Sequence, residues 1–299
     1  MNTKTKVIQK KISVILPVYN GEKFIRDAVN SVLDQTYNNL ELIIVNDCST
    51  DNTLNIVREL SSNDERIIII DNKVNQKLPR SLNIGFAAAS GDYYTWTSDD
   101  NLYHKDALQE MVKVMECEAK PDLVYADYSI IDSAGNVVGQ SKQKAPEEMC
   151  FGNVIGACFL YRKELALKSG ESDPDFFLAE DYEFFVRCYS SGKLLHLEKC
   201  LYDYRTHGES LTETRRDEIL VMTLRVIERH FDFLLSLCFD QEKRNRFFRN
   251  ILDIAWVSLD DEKRNVIRKK LYRRNPAFAW SDRVLRLKNR MRKVIGRRA

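Results

Sequence analysis

No two of the seven cysteines in this 299-residue sequence are spaced as CxxC, and their number is odd. That excludes the common thiolate zinc frameworks and a disulfide-stapled fold, and it fits a reduced, cytosolic setting. Glycine and proline are sparse, at 11 and 6 residues, which excludes collagen-like and Pro/Gly-rich disordered chains. No segment repeats and none is of low complexity. The N-terminal lysines precede an apolar run of only about six residues ending at Pro17, too short for a secretory leader or a membrane span. No GxGxxG follows that run, so the dinucleotide-binding fingerprint is missing.

What is present has the composition of a soluble globular protein, 44% hydrophobic and 30% charged, at a length that permits one or two domains. The net charge of +2 is unevenly placed. Residues 263–299 hold 15 Lys/Arg and one acid, Asp282, for +14; the remainder holds 31 basic and 43 acidic residues, for −12. The asymmetry points to an anionic partner for the tail. A last helix is predicted over Ser281–Arg298, with Val284, Leu287, Met291 and Val294 on one side, basic residues elsewhere, and Tyr272, Phe278 and Trp280 near its start. That is the pattern of a helix lying on an anionic membrane surface. A helix packed on the rest of the chain or on a partner subunit, with solvated cations, is the other reading. Nucleic acid is the weaker partner, because no binding motif accompanies the charge.

Strand and helix alternate through the first hundred residues. Apolar runs at Ile12–Leu16, Leu40–Val45, Arg66–Ile70 and Tyr93–Thr97 predict buried strands, and helical spacing predicts helices over Glu22–Gln35, after Asp51, and over Pro79–Ala89. Four such units argue an α/β fold, a parallel sheet with helices on both faces. Further on, a helix is expected over His104–Glu118 and strands at Leu123–Tyr128, Val137–Gln140 and Gly156–Arg162. A helix over Leu178–Ser191 and short strands at Leu194–Glu198 and Leu201–Arg205 follow. From Glu213 the pattern is helical, with Leu220, Leu224, Ile227, Phe231, Leu234 and Cys238 on one face and Phe247, Ile251, Ile254 and Val257 on another.

Polar residues concentrate where strands end, which is where open α/β sheets bind ligands. Asp99-Asp100 follows the fourth strand; two adjacent carboxylates repel unless a cation neutralises them, so a divalent metal holding a diphosphate, or a helix cap, accounts for them. Asp47 could accept from a nucleobase edge or form an Asx-turn. Tyr19 could stack on a base or belong to the core. Lys77 and Arg80 could meet phosphates or be a solvated helix start. Glu180-Asp181 stands among Phe176, Phe177, Leu178 and Phe184, where a carboxylate pKa rises; Asp181 then suits a general base, with helix capping as the alternative. His207 is structural unless the fold brings it to Asp100.

Taken together, ISVILPVYN, LELIIVNDCSTDNT, LNIGFAAASGDYYTWTSDDN and AEDYEFFVR resemble the family-2 inverting glycosyltransferases of the GT-A fold, over roughly residues 10–210. The resemblance implies a GT-A, mostly parallel sheet with a C-terminal helical extension. It divides the chain into a catalytic domain, 1–210, and a helical region with a basic amphipathic tail, 211–299. Within the first, 10–101 would form the nucleotide-binding half and 102–210 the acceptor half. Pro17, Val18, Tyr19, Asn20 and Asp47 would hold the nucleotide, with Asp51 a weaker match. Asp99 would contact ribose or metal, Asp100 would coordinate manganese or magnesium with His207 close by, and Asp181, paired with Glu180, would be the base. The implied donor is a nucleotide-diphosphate sugar, UDP- or dTDP-linked, and the implied acceptor a glycan or lipid-linked hydroxyl at the inner face of the plasma membrane. Two positions depart from the family pattern. Ser98 stands where an aspartate is common, and Leu82-Asn83 stands for Arg-Asn, so Asn83 matches and Lys77 would have to replace the arginine. A noncatalytic sugar-nucleotide scaffold is the rival reading, and a nucleotidyltransferase the weaker one, since PVYNGE is no Gly-rich phosphate loop.

Overall fold

The computed structural model describes residues 9–276, 278–280 and 282. The chain forms two compact units, one up to Thr214 and one from Arg215 on.

The first unit alternates as its sequence pattern predicts. Its order is β1 (Ile12–Val18), α1 (Ile25–Leu33), β2 (Leu40–Asn46), α2 (Thr53–Ser61), β3 (Ile67–Asp71), α3 (Lys77–Ala88) and β4 (Tyr93–Trp96). Then come β5 (Leu102–Tyr103), α4 (Ala107–Met115), β6 (Leu123–Ile131), β7 (Val137–Ser141), β8 (Phe159–Arg162), α5 (Lys163–Ser169), α6 (Glu180–Ser191), β9 (Leu194–Arg205) and α7 (Leu211–Thr214). All nine strands form one sheet in the order β3-β2-β1-β4-β8-β6-β9-β5, with β7 beside β6. Every residue of β2 is buried, as a strand covered on both faces requires.

The parallel expectation holds for β3-β2-β1-β4. Beyond β4 the sheet is mixed: β8 runs antiparallel to β4 and β6, while β6 and β9 are parallel. The two short strands expected at 194–205 are one strand with a bulge. Ala126 pairs with Leu197 and Asp127 already with Cys200, so Glu198 and Lys199 drop out of the ladder.

The order places a topological switch between β1 and β4. From β1 the chain winds outward through β2 and β3, then returns to lay β4 on the other side. Ile15 O accepts from Thr97 N on the β4 side. Side alternates along a strand, so Pro17 faces the same way, past the last β4 partner. A residue without an N–H therefore ends the ladder where the two strands part.

The second unit consists of α8 (Arg216–Arg229), α9 (Phe231–Ser236), α10 (Gln241–Ser258) and α11 (Asp261–Arg274) around Leu224, Ile227, Phe231, Phe247, Phe248, Ile251 and Leu271. The single apolar face expected from Leu220 to Cys238 is broken at His230 into α8 and α9, and Val257 is exposed rather than inward. Asp240 and Asp260 cap α10 and α11 by accepting from Lys243 N and Lys263 N. The helix predicted over Ser281–Arg298 lies, except for Asp282, outside the described residues. Among the described residues no helix is long and apolar enough to cross a membrane. All seven cysteines are free thiols.

Candidate active site

The loops after β1 and β2 are laced together by side chains acting on backbone. Asn20 Oδ1 accepts from Thr50 N at 2.8 Å, and Asn20 N donates to Ser49 Oγ at 3.0 Å. Gly21 N donates to Thr53 Oγ1, and Glu22 N to Asp51 Oδ2. Asp51 also accepts from Thr53 N and so secures the start of α2. This lacing leaves Tyr19 53% exposed, so the core reading of its ring is excluded. Val18 is buried, and its carbonyl accepts from Asp47 N.

Asp47 and Asn83 are already engaged. Asp47 Oδ1 accepts from Asn72 Nδ2 (2.9 Å) and Gln76 N (2.7 Å), and Oδ2 from Lys77 N (2.9 Å). The carboxylate thus fixes the turn into α3, and one lone pair on Oδ2 is left for a ligand. Asn83, placed by the sequence among nucleotide contacts, exchanges two hydrogen bonds with the backbone of Ser172 at 2.8 and 2.9 Å. The Lys77 ammonium is exposed at the first residue of α3.

After β4 the two acids diverge. Asp99 turns toward Gly21, where even a methyl group would overlap Asp99 Oδ2. Burial, then the neighbouring Asp100 charge, pushes the Asp99 carboxyl up to about 7. Asp100 Oδ2 lies 3.0 Å from His207 Nε2, and the Asp100 carbonyl accepts from Arg205 Nε at 2.8 Å. Arg205 is buried, lies over the Phe24 ring at 4.5 Å, and donates to the Asp132 and Ser133 carbonyls. Phe24 also flanks the His207 ring, at 5.5 Å. The distant His207 is thus brought to Asp100 through β9, because Arg205 N donates to Asn101 Oδ1 and zips the end of β9 to the loop after β4.

The second acidic pair opens α6. Leu178 is held at φ +79 and turns the chain so that Glu180 and Asp181 form the first turn. A helix amino terminus favours anions, but burial outweighs it here. The Glu180 carboxyl rises to about 8 through burial and then the Asp181 charge, and Asp181 is raised chiefly by burial. Asp181 Oδ2 accepts from Asn153 Nδ2 at 2.9 Å and Oδ1 from Tyr182 N at 2.6 Å. Among the described residues, Glu180 Oε2 is buried without a hydrogen-bond partner. Trp96, the last residue of β4, stacks on Phe185 at 5.5 Å and 7° and so packs α6 at the end of β4.

The Tyr204 phenol donates to or accepts from Thr212 Oγ1 at 3.2 Å, and its pKa is raised chiefly by burial. Four of the five described non-glycine residues at positive φ, namely Asn20, Cys48, Lys77 and Leu178, lie on these same loops. Such strain gathers where surroundings over-determine a ligand site. Sequence reasoning missed Asn153 and Arg205. Asn153 sits in a loop with no periodic signal, and Arg205 reads only as the last residue of a short strand.

Comparison with known proteins agrees with this architecture. The model of the glycosyl transferase family 2 matches residues 13–170, just over half of the chain. An uncharacterized glycosyltransferase of Haemophilus influenzae is 28% identical, the match covering 83% of this chain and 86% of that protein. The crystal structure of S. aureus TarS 1-349 in complex with UDP-GlcNAc superposes with a TM-score of 0.57 at 22% identity, covering 86% of this chain and 83% of that one. The mannosyltransferase PcManGT from Pyrobaculum calidifontis, in complex with GDP-Man and Mn2+, superposes with a TM-score of 0.61 at 15% identity, covering 92% and 84%. At such identities the solved structures speak for the GT-A fold. On the family match, the fold and the order of its strand-end motifs, this chain belongs to the family-2 glycosyltransferases.

Proposed function

We propose that the chain transfers a sugar from a nucleotide-diphosphate donor, UDP- or dTDP-linked, to a hydroxyl of a glycan or lipid-linked acceptor, with inversion at the anomeric carbon. The observation that carries this reading is the Asp100–His207 pair, 3.0 Å apart and held after β4 by Arg205, with the helix that opens on Glu180 and Asp181 packed at the end of the same strand through Trp96. In this reading Tyr19 stacks on the base and Pro17, Asn20 and Asp47 line its pocket, with Val18 acting through its backbone. Asp99 faces the ribose side and Lys77 a phosphate. Asn83 acts indirectly, by fixing the backbone at Ser172.

A divalent ion, manganese or magnesium, fits the donor set at Asp100 and His207. A carboxylate oxygen and an imidazole nitrogen stand 3.0 Å apart. Asp99 adds a neighbouring carboxyl, its pKa raised to about 7, that a bound cation would hold in its ionised form. Ions of this class are held by one or two protein ligands and share their remaining positions with substrate phosphates. When bound, the ion supplies positive charge for the departing diphosphate.

The chain's own residues do the rest. The acceptor oxygen bonds to the anomeric carbon as the bond from that carbon to the diphosphate oxygen breaks, and the acceptor proton passes to Asp181. A raised pKa suits a carboxylate to that proton transfer. Asn153 and the Tyr182 N–H orient Asp181. Glu180, protonated at neutral pH, keeps a second negative charge away from it. One displacement inverts the centre and needs no enzyme nucleophile. The net charge of +14 over residues 263–299 supports an acceptor met at the inner face of an anionic membrane.

The test is transfer and donor hydrolysis with manganese across UDP-, dTDP- and GDP-sugars, with product anomer read by NMR. Asp181→Asn is expected to lower turnover by about 10²–10⁴, and Asp100→Ala to abolish the manganese response. Full activity in both variants, or retention at the anomeric carbon, sinks the assignment. Tight donor binding without turnover by the parent protein would favour the scaffold reading.

A further inference from the structure

We propose that the outward face of α11, together with Trp280, is a docking surface for an anionic phospholipid bilayer; this rests on the membrane-surface acceptor reading above and assigns it to residues. α11 buries Leu271 and turns Arg264, Ile267 and Arg268 partly inward. The opposite stripe is then Glu262, Val266, Lys269 and Arg273, spaced as one helix face, and all four are exposed.

Most cations of this helix are paired within the unit. Lys263 meets Asp260, Arg264 meets Asp261, Lys270 meets Glu228 and Arg274 meets Asp232. Lys269 and Arg273 have no acidic partner among the described residues. Past the helix, Phe278 is buried against Phe248 at 5.1 Å, whereas Trp280 is 71% exposed. Tyr272, Arg273, Pro276, Ala279 and Trp280 line one concave patch, so an unpaired guanidinium and an exposed indole share it. Burying an indole at headgroup level while neighbouring cations meet lipid phosphates satisfies both. Charge complementarity singles out this unit. Residues 215–299 hold 23 basic and 11 acidic residues, net +12, and residues 1–214 carry net −10. A polynucleotide would also attract the cations and offer Trp280 a base to stack on, but it gives the exposed Val266 no apolar phase to enter.

The full chain is co-sedimented with vesicles of phosphatidylglycerol and phosphatidylcholine, with pure phosphatidylcholine vesicles, and with single-stranded polynucleotide, at low and high salt. Expected is binding to the anionic vesicles that weakens with salt, with a blue shift of tryptophan emission that Trp280→Ala removes. Lys269→Ala and Arg273→Ala should each lower partitioning about fivefold, with unchanged melting temperature because both side chains are exposed. Partitioning of the double variant equal to the parent's overturns the proposal, as does equal binding to neutral vesicles, or binding to polynucleotide alone. Sugar-nucleotide hydrolysis without vesicles is read in parallel. Its absence alongside intact vesicle binding removes the enzymatic reading and leaves the docking surface; its presence without vesicle binding removes the docking surface alone.

Discussion

At the scale of single residues, Gly21 shows how closely the crevice is packed. Its Cβ position is occupied: a methyl there would overlap Asp99 Oδ2 and come 2.7 Å from Val18 Cγ2. Gly21→Ala must therefore displace the Asp99 carboxylate or the loop after β1. We expect a loss of about 1–3 kcal/mol in stability, as for other overpacked sites, and a fall in turnover of about 10²-fold from the displaced site. Combining it with Asp99→Ala should restore part of the stability, because the clash with the carboxylate is gone while that with Val18 remains; thermal melts of the four-member cycle measure this coupling. A Gly21→Ala protein that melts and turns over like the parent would show that the loop has room to spare. Residue types at strand ends were readable from the chain, since acids and turn formers stood out against apolar strands. Occupancy was not. Asp47 read as a nucleobase acceptor or an Asx-turn, yet three donors from the segment before and at the start of α3 fill most of its carboxylate. Asn83 looked like a ligand contact, and its partner is the backbone of Ser172, 89 residues away. Nothing local in a sequence records such a long-range partner.

At the scale of elements, α6 is placed by aromatic packing. Trp96 meets Phe159 edge-on at 4.4 Å, stacks on Phe185, and touches Phe184 at 5.7 Å. Removing the indole leaves a cavity between the end of β4 and the helix that carries Glu180 and Asp181. Trp96→Ala is expected to cost about 3–5 kcal/mol and to lower transfer more than the unfolded fraction explains, whereas Trp96→Phe should keep most of both. Chemical denaturation together with turnover at a temperature where the variant is folded decides this; normal turnover in a folded Trp96→Ala protein would separate α6 placement from Trp96. Periodicity revealed α6 and the four leading strands because each is long and strongly patterned. It failed where tertiary pairing decides. Strand direction beyond β4 is set by which neighbour a strand meets, and the bulge at Glu198-Lys199 read as a gap between strands. The break at His230 fell inside an apolar pattern that continued across it.

At the scale of the whole molecule, stability and activity should respond to pH in opposite directions. Glu180 is raised to about 8 and Asp181 is raised as well, both chiefly by burial. A group with a raised folded pKa binds its proton in the native state at pH values where the unfolded chain has released it. Native protein then holds more protons than unfolded protein, so stability falls as pH rises. For Glu180 the window runs from its ordinary value of 4.5 up to about 8. Below that window the penalty is absent, and above it the buried charge is fully felt. The base, however, must be ionised to accept the acceptor's proton, so turnover should climb with pH as Asp181 ionises. We expect the thermal midpoint to fall between pH 5.5 and pH 8.5 while turnover rises. In Glu180→Gln the decline should be shallower, while the turnover profile should keep its position, because Glu180 is already neutral where Asp181 ionises. Parallel melts and rate profiles of the two proteins test this. An unchanged melting slope in the variant would mean that water reaches Glu180 freely, and would remove the physical basis for treating the pair at the start of α6 as one buried acid beside one base.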